Sequence, residues 1–340
     1  MKNLIYSFKA KKFRKAISLI DQKRDQGQIT PEDVVRFDNI LYGPDKKLKK
    51  WQYLDVYRPK ESPDIDSNEE RNNSASPSIS QAPSSPNFHA QTNQSPLKKL
   101  PVIVIVHGGA WIYGDKDVYQ FYGMKLCQRG FAVVNYSYRI APEAKFPSSL
   151  QDTDNVFTWI LQNAQKYGFD TQNIFAVGDS AGAHLLAMYA SAITNPEFAK
   201  NFPFIKNNKL KLRAIALNCG KYTMNDALDG NKDAKMQMAV WMPNKGSKKE
   251  FELVNLPSHI TSNFPPSFVM TCKGDFLLEQ APLMLKALKD AGVTHQFKCY
   301  GTEEKPLWHV FHCDPNLPEA LICNDDECNF FKNLCIKSDE

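Results

Sequence analysis

The sequence lacks any long apolar run. No stretch approaches the ~20 consecutive apolar residues that a membrane-spanning helix needs. A secretory signal requires an unbroken apolar segment of about 7–15 residues. Basic side chains interrupt the N-terminal segment MKNLIYSFKAKKFRKAISLI at Lys9, Lys11, Lys12, Arg14 and Lys15. These two absences predict a cytoplasmic protein with no stable membrane insertion.

A strong excess of charge of one sign is also missing. The formal net charge is only +5 over 340 residues, so we expect no nucleic-acid partner. The charge is nevertheless uneven, because residues 1–24 contain eight Lys or Arg and a single acid, Asp21. Such a segment forms either the solvated face of an amphipathic helix or a contact with an acidic surface or membrane. The solvated face is the simpler interpretation.

Closely spaced cysteine pairs are absent as well. None of the eight cysteines belongs to a C-x-x-C pair. Four of them fall within 313–335, near His309 and His312, but they are separated by ten, five and seven positions. Structural zinc sites usually present two close pairs. We therefore predict free thiols and no metal site, with disulfides as an alternative only for a secreted protein.

One segment contains almost nothing that can build a core. Residues 61–98 contain nine Ser, five Pro, five Asn and three Gln. Such a composition cannot bury enough apolar surface to offset the entropy of ordering it. Strand-like sequence lies on both sides, at 51–57 and 102–106. We therefore predict a disordered surface insertion within a single domain that spans residues 1–340.

The rest of the chain alternates short apolar runs with helical patterns. Besides the two runs that flank the insertion, the predicted strands are 131–136, 173–177, 212–218, 267–272 and 295–300. The predicted helices are 117–129, 150–166, 181–193, 278–291 and 316–335. This alternation indicates an α/β fold with a mainly parallel sheet covered on both faces. Residues 1–40 and 221–260 fall outside it and are candidates for a helical cap.

The motif GDSAG (178–182) lies between a predicted strand and a predicted helix. A serine on such a sharp turn has its hydroxyl held out at the carboxyl end of the sheet, where a nucleophile belongs. Glycines are needed on both sides because a Cβ atom would collide with the neighbouring strand or helix. The motif therefore predicts Ser180 as a nucleophile. The amide of Ala181, at a helix N-terminus, is a predicted donor to a negative oxygen.

The segment HGGAW (107–111) follows a predicted buried strand. Backbone N–H groups on a loop of small residues can stabilise a developing alkoxide without reorganisation. The predicted oxyanion hole consists of Gly108, Gly109, Ala110 and Ala181. Within it, Gly109 and Ala110 are the preferred donors, and Gly108 permits a close approach. His107 precedes the loop and is expected to anchor it by hydrogen bonds.

The acid and the base of such a triad follow the nucleophile in the order Asp or Glu, then His. Asp275 comes just after the predicted strand 267–272, and His309 lies 34 positions further on, after one helix and one strand. We therefore predict Ser180, Asp275 and His309 as the catalytic residues, with Asp275 fixing the imidazole tautomer. His312 is the alternative base. Nearby acids are expected to be solvated: Glu303, Glu304 and Asp314.

Two aromatic residues just past the oxyanion loop are candidates for substrate contact. Trp111 and Tyr113 either line an acyl pocket or pack in the core. Two charged residues further along, Arg139 and Glu143, are better explained by an ion pair that fixes a buried turn than by substrate binding.

Five motifs occur in the order typical of one enzyme family. They are HGGAW (107–111), YRIAPEAKFP (138–147), GDSAGAH (178–184), GDFLLEQ (274–280) and HVF (309–311). Over about residues 40–312 the chain resembles the hormone-sensitive-lipase-like branch of the α/β-hydrolases, which includes bacterial acetyl esterases and related carboxylesterases. The resemblance implies an eight-stranded, mostly parallel sheet, a helical cap built partly from the N-terminus, no cofactor and hydrolysis of short acyl esters. It places the triad at Ser180, Asp275 and His309.

The sequence departs from this family at two points. Ala110 stands where many relatives have a third glycine. The pair Asp115-Lys116 after the oxyanion loop resembles the sequence of feruloyl-esterase-like and arylformamidase-like relatives. The favoured function is a serine carboxylesterase acting on a small-molecule ester, with an arylformamidase-like amidase as the alternative. Non-catalytic binding proteins of this fold typically lack the nucleophile or the base, and both are present here. A homodimer is compatible with the sequence.

Overall fold

The computed structural model describes most of the chain. Its described residues are 2–44, 51–60, 97–205, 210–224 and 234–336, with side chains described from residue 10 onward. The insertion predicted at 61–98 lies outside the described residues, apart from its last two positions. No described helix is long and apolar enough to cross a membrane.

The centre of the fold is one sheet of eight strands in the order β1-β2-β4-β3-β5-β6-β7-β8. The strands are β1 Val34–Leu41, β2 Tyr53–Pro59, β3 Leu100–Val106, β4 Ala132–Tyr136, β5 Phe169–Asp179, β6 Leu212–Asn218, β7 Ser267–Cys272 and β8 His295–Tyr300. Strand β2 is antiparallel to both of its neighbours, and every other pairing is parallel. The predicted mainly parallel sheet is confirmed.

The helices follow the strands as the alternation predicts. They are α1 Lys2–Asp25, α2 Gln120–Cys127, α3 Ser148–Gln162, α4 Ala164–Tyr167, α5 Ala181–Thr194, α6 Pro196–Ala199, α7 Ala234–Trp241, α8 Lys248–Leu253, α9 Ala281–Asp290 and α10 Pro318–Lys332. The helix predicted at 150–166 is divided at Asn163 into α3 and α4. Helices α7 and α8 lie in the segment 221–260 that was a candidate for a cap.

The prediction of a helical cap over 1–40 is wrong in its second half. Residues 2–25 are helical, but Val34–Leu41 is strand β1, which pairs with β2 at the edge of the sheet. The pairing is irregular between Phe37 and Ile40, and between them Asn39 has φ +57° and its amide donates to the Asp55 carboxylate at 2.7 Å. An edge strand that is mostly in contact with water has little apolar periodicity, so residues 34–41 show no strand pattern.

Both faces of the sheet are covered. Along β3, Val102, Val104 and Val106 pack into one apolar cluster, whereas Ile103 and Ile105 pack into a second cluster. All five are essentially inaccessible to water, and full burial of each such side chain contributes roughly 1.5–3 kcal/mol. Because β3, β5, β6, β7 and β8 run parallel, their carboxyl ends meet at one edge, where the predicted site residues lie.

Candidate active site

Ser180 occupies a sharp turn between β5 and α5. Its backbone is at φ 52° and ψ −117°, a conformation that L-residues seldom adopt. A Cβ atom on Gly178 would lie 2.6 Å from the carbonyl oxygen of Gly182, and one on Gly182 would collide with the carbonyl oxygen of Val106. The Ser180 amide donates to the carbonyl of Asn218 at 2.9 Å. The strand on one side and the helix on the other therefore hold the strained turn in place.

Asp275 and His309 meet at the carboxyl ends of β7 and β8. The Nδ1 atom of His309 lies 2.7 Å from Oδ1 of Asp275, whose side chain is buried. The same carboxylate accepts from the amide of Leu277 at 2.8 Å and from the hydroxyl of Thr271 at 2.9 Å. Burial acts to raise the pKa of Asp275, but these hydrogen bonds, above all the one from His309, bring the pKa below its ordinary value. The carboxylate is therefore ionised beside the imidazole.

The alternative base has a different environment. His312 is buried, its ring is edge-on to Tyr122 at 5.0 Å, and burial lowers its pKa to about 3. It does not line the cavity that contains Ser180 and His309. Asp314 accepts from the amide of Asn316 at 3.0 Å, as a loop residue does. Of the two histidines, it is His309 that contacts Asp275 and lines the same cavity as Ser180.

The loop 107–111 lies beside this turn. Its Gly108 amide donates to the hydroxyl of Tyr119 at 2.9 Å, so Gly108 is not free to act as an oxyanion donor and its inclusion among the predicted donors is wrong. It does permit close approach, because a Cβ atom there would lie 2.6 Å from Oδ2 of Asp179. Gly109 and Ala110 have φ +110° and +53°. Within the described part of the chain, their amides have no hydrogen-bond acceptor.

Tyr119 and Asp179 connect the loop to the turn. The Tyr119 hydroxyl, which accepts from Gly108, donates in turn to Oδ2 of Asp179 at 2.8 Å. Both side chains are buried, and burial raises the pKa of Asp179 to about 6 although the hydrogen bond from Tyr119 lowers it. The sequence analysis missed this role. Nothing in the sequence near Tyr119 shows that its side chain faces the residue before Ser180.

His107 anchors the loop as expected. Its ring stacks on that of Tyr138 with centroids 3.9 Å apart, and its Nδ1 atom lies 2.8 Å from the carbonyl oxygen of Gly108. The Tyr138 hydroxyl donates to the carbonyl of His107 at 2.8 Å. Burial lowers the pKa of His107 to about 4, so the ring is neutral and suited to structural hydrogen bonding.

Ser180 and His309 open into a cavity of about 820 Å³. Trp111 and Tyr113 both line it, as do Phe276 and Trp308 near His309. Trp111 is also a core residue, because it is fully buried and stacks on Trp241 of α7 with ring centroids 4.4 Å apart. Trp111 therefore both lines the cavity and packs in the core. The segment 221–260 contributes to the site through this stacking.

Helix α1 covers one side of the cavity, to which Phe13, Ile17 and Ile20 contribute their side chains. Arg14 donates to the carbonyl oxygens of Ile112 and Ala141 at 2.6 and 2.7 Å. Further along the helix, Asp21 accepts from the hydroxyl of Tyr113 at 2.6 Å, and Arg24 donates to the carbonyl of Val118 at 2.6 Å. The N-terminal helix is thus fastened to the segment 111–118 that follows the oxyanion loop.

Arg139 and Glu143 form ion pairs with different partners. Arg139 pairs with the buried Asp152 at 2.9 Å, and Glu143 pairs with Arg14 of α1 at 2.6 Å. Neither residue lines the cavity. The expectation that they fix structure agrees with these contacts, although the second pair fixes the N-terminal helix and not a buried turn alone.

Three side chains at the site offer metal-ligating atoms within 4.8 Å of one another: Cys219, Asp275 and His309. Asp275 and His309 are already joined by their own hydrogen bond, so an ion bound through Nδ1 would have to break it. The eight cysteines, all within the described residues, are free thiols. Those at 313, 323 and 328 are buried among apolar side chains.

Comparisons with known proteins identify related sequences and structures. A family model described as BD-FAE matches residues 89–286, more than half of the 340 residues. The versiconal hemiacetal acetate esterase of Dothistroma septosporum is 27% identical over 66% of this chain and 70% of its own length. Esterase LipC of Mycobacterium tuberculosis is 26% identical over 57% of this chain and 49% of its own length, so the chain spans about half of that relative.

The structural comparison extends over nearly the whole chain. The crystal structure of esterase B from Lactobacillus rhamnosis superimposes with a TM-score of 0.80 at 21% sequence identity, covering 98% of this chain and 96% of that one. At this identity the likeness concerns the fold, and it agrees with the eight-stranded α/β-hydrolase architecture described above.

Proposed function

Because the chain belongs to the BD-FAE family of α/β-hydrolase carboxylesterases, we propose that it hydrolyses carboxylic esters with Ser180 as the nucleophile. The relatives named above are esterases, which supports this reaction class. The single observation that carries the proposal is the hydrogen bond of 2.7 Å between Asp275 and His309, in the same cavity as a serine held at a strained strand-to-helix turn.

The reaction proceeds in two steps. Ser180 Oγ attacks the carbonyl carbon of the ester while Nε2 of His309 takes the hydroxyl proton, and Asp275 stabilises the imidazolium. The tetrahedral intermediate breaks its bond to the alcohol oxygen, which receives the proton from His309 as it leaves. An acyl-enzyme remains on Ser180. Water, deprotonated by His309, then attacks the acyl carbon, and the acid leaves as Ser180 recovers its proton.

The negative oxygen of each tetrahedral intermediate is stabilised by backbone amides. Gly109 and Ala110 supply two of them, since their amides have no acceptor in the described protein. Ala181 supplies a third, because it is the first residue of α5 and a first-turn amide has no acceptor within its own helix. Such preorganised donors are typically worth about 3–4 kcal/mol each in the transition state.

The preferred substrates are esters of short acyl groups. Trp111, the last residue of the loop 107–111, lines the cavity of about 820 Å³. Its stacking on Trp241, with ring centroids 4.4 Å apart, holds the indole in one position, and this fixed ring supports a limit on the length of the acyl chain.

Asp115 and Lys116, which suggested the amidase alternative, do not support it in the structure. Lys116 binds Asp55 at 3.1 Å and Asp117 at 2.7 Å, and Asp115 accepts from the amides of Asp117 and Val118. None of these side chains except Val118 lines the cavity. This pair of residues therefore fixes the loop after the oxyanion segment and does not select an amide substrate.

A panel of p-nitrophenyl esters from acetate to decanoate tests the proposal, with N-formylkynurenine as the amide comparison. We expect turnover to be highest on the shortest esters and absent on the amide. Ser180→Ala is expected to lower kcat by about four orders of magnitude while the melting temperature changes little. Retention of activity within about tenfold of the wild type would mean that another residue attacks the ester.

A further inference from the structure

The outward face of helix α1 has a distinctive composition. Between residues 10 and 25 its exposed positions are Lys11, Lys12, Lys15, Ala16, Leu19, Ile20, Gln22 and Lys23, and no acid is among these eight. The four lysines form no ion pair with the described residues. By contrast, the two arginines of this stretch, Arg14 and Arg24, are bonded to the protein. The helix therefore presents unneutralised positive charge and large apolar side chains to solvent.

Exposed apolar side chains continue around the entrance of the cavity. Ile20 of α1, Phe276 and Trp308 line the cavity and yet are 63%, 46% and 51% exposed. Leu19, next to Ile20, is 58% exposed. Leaving such surface in contact with water is unfavourable, and exposed apolar side chains gathered at one cavity are typical of an interaction site. We define the mouth surface as these four side chains together with Lys11, Lys12, Lys15 and Lys23.

We propose that the mouth surface docks on an anionic lipid–water interface, from which ester substrates enter the cavity. Apolar side chains of such a surface reach the boundary between headgroups and acyl chains, while lysines contact anionic headgroups. The entry of ester substrates from this interface rests on the proposed esterase function, whereas the docking does not.

The position of the apolar side chains favours lipid over a protein partner. Ile20, Phe276 and Trp308 line the cavity that contains Ser180 and are exposed to solvent. A protein seated on these side chains would cover this side of the cavity, whereas a lipid surface would present apolar esters to it. The unpaired lysines supply the complementary charge. A second copy of this chain would bring the same lysines face to face and is disfavoured by their repulsion.

Flotation with vesicles measures the docking directly. The Ser180→Ala protein, which separates binding from turnover, is mixed with vesicles of phosphatidylglycerol or of phosphatidylcholine. We expect binding to phosphatidylglycerol that weakens at high salt and at least tenfold weaker binding to phosphatidylcholine. Replacing Lys12, Lys15 and Lys23 by Gln is expected to lower the affinity for phosphatidylglycerol about tenfold or more. Leu19→Glu is expected to lower it at least fivefold.

Matched controls lie elsewhere on the described surface. Lys211, Lys289 and Lys332 are exposed lysines that, like the test lysines, form no ion pair with the described residues, and Ile322 of α10 is 55% exposed. Replacing these three lysines by Gln, or Ile322 by Glu, is expected to leave vesicle affinity within about twofold of the parent. Equal losses in the test and control variants, or equal binding to both lipids, would overturn the proposal. Self-association that buries the mouth surface would show that a second copy of the chain binds there, and this result would also overturn the proposal.

Turnover distinguishes failure of the docking from failure of the function. With an active serine, the Lys and Leu19 variants are expected to hydrolyse dissolved p-nitrophenyl acetate at the parent rate and to lose activity only on an ester carried in phosphatidylglycerol vesicles. Vesicle binding without turnover of any ester would contradict the esterase function alone. Turnover of dissolved ester without vesicle binding would contradict the docking alone.

Discussion

The floor and the roof of the cavity are built in different ways. The floor consists of the turn at Ser180 and the loop 107–111. The turn is held by the backbone of β6 through Asn218, and the loop is held by the buried side chains of Tyr119 and Tyr138. The roof is helix α1, which is fastened through the side chains of Arg14, Asp21 and Arg24, in contacts that are only partly buried. Because buried hydrogen bonds cost more to break than bonds that water can replace, we expect the floor to fix the chemistry and the roof to influence which substrates reach it.

The largest effect is expected from substitution of Asp275, the proposed acid of the triad. Asp275→Asn is expected to lower kcat by about three to four orders of magnitude, because an amide can leave the imidazole proton on the wrong nitrogen. Asp314→Asn is the matched control, since among the described hydrogen bonds the side chain of Asp314 accepts only from the nearby amide of Asn316. Steady-state kinetics on p-nitrophenyl acetate measures both. Similar losses in the two variants would mean that Asp275 is not the acid.

An intermediate effect is expected from Tyr119, which joins the two parts of the floor. Tyr119→Phe leaves the Gly108 amide without its acceptor and removes a donor from Asp179. Loss of a buried hydrogen bond costs about 1–3 kcal/mol of folding free energy. Because the same bonds hold the loop 107–111 beside the residue before Ser180, we expect kcat to fall about tenfold with KM nearly unchanged. Tyr300→Phe, which loses a hydrogen bond to Asp326 outside the cavity, is the control and is expected to leave kcat unchanged.

The pH dependence adds a second measurement on the same variant. Because burial raises the pKa of Asp179 to about 6, its ionisation opposes folding, and the stability present below its ordinary pKa near 4 is lost as pH rises through about 6. Removing the Tyr119 donor raises this pKa further, so the loss of stability in Tyr119→Phe should extend to higher pH. If the melting temperature of Tyr119→Phe depends on pH from 4 to 8 in the same way as that of the wild type, the hydrogen bond from Tyr119 does not control the pKa of Asp179.

The smallest effect is expected in the roof. Tyr113→Phe removes one hydrogen bond, to Asp21 at 2.6 Å, and leaves the triad and the oxyanion amides untouched. We expect a loss of about 0.5–1.5 kcal/mol in the free energy of unfolding, a two- to threefold change in KM and no change in kcat. Denaturant titration and kinetics measure these. If Tyr113→Phe lowers kcat more than Tyr119→Phe does, the distinction between floor and roof fails.

The same distinction explains what the sequence could predict. Seven of the eight strands were predicted: β2 from its alternation of apolar and polar residues, and most of the others because buried parallel strands are continuous apolar runs. Ser180 and Asp275 could be proposed because each follows such a run, and His309 because one helix and one strand separate it from Asp275. Strand β1 was missed, since its exposed residues at the edge of the sheet show no such pattern. The engagement of the Gly108 amide by Tyr119, and the pairing of Glu143 with Arg14, depend on contacts between distant segments. Local patterns carry no information about those contacts.

The central claim is that Ser180 alone is the activated nucleophile, and covalent trapping tests it most directly. The protein is treated with a fluorophosphonate, and the modified residue is located by peptide mass spectrometry, with the Ser180→Ala protein as control. We expect one adduct per chain, on Ser180, with loss of esterase activity in step with labelling and no adduct in the control. An adduct on another residue, or full labelling of the Ser180→Ala protein, would contradict the account.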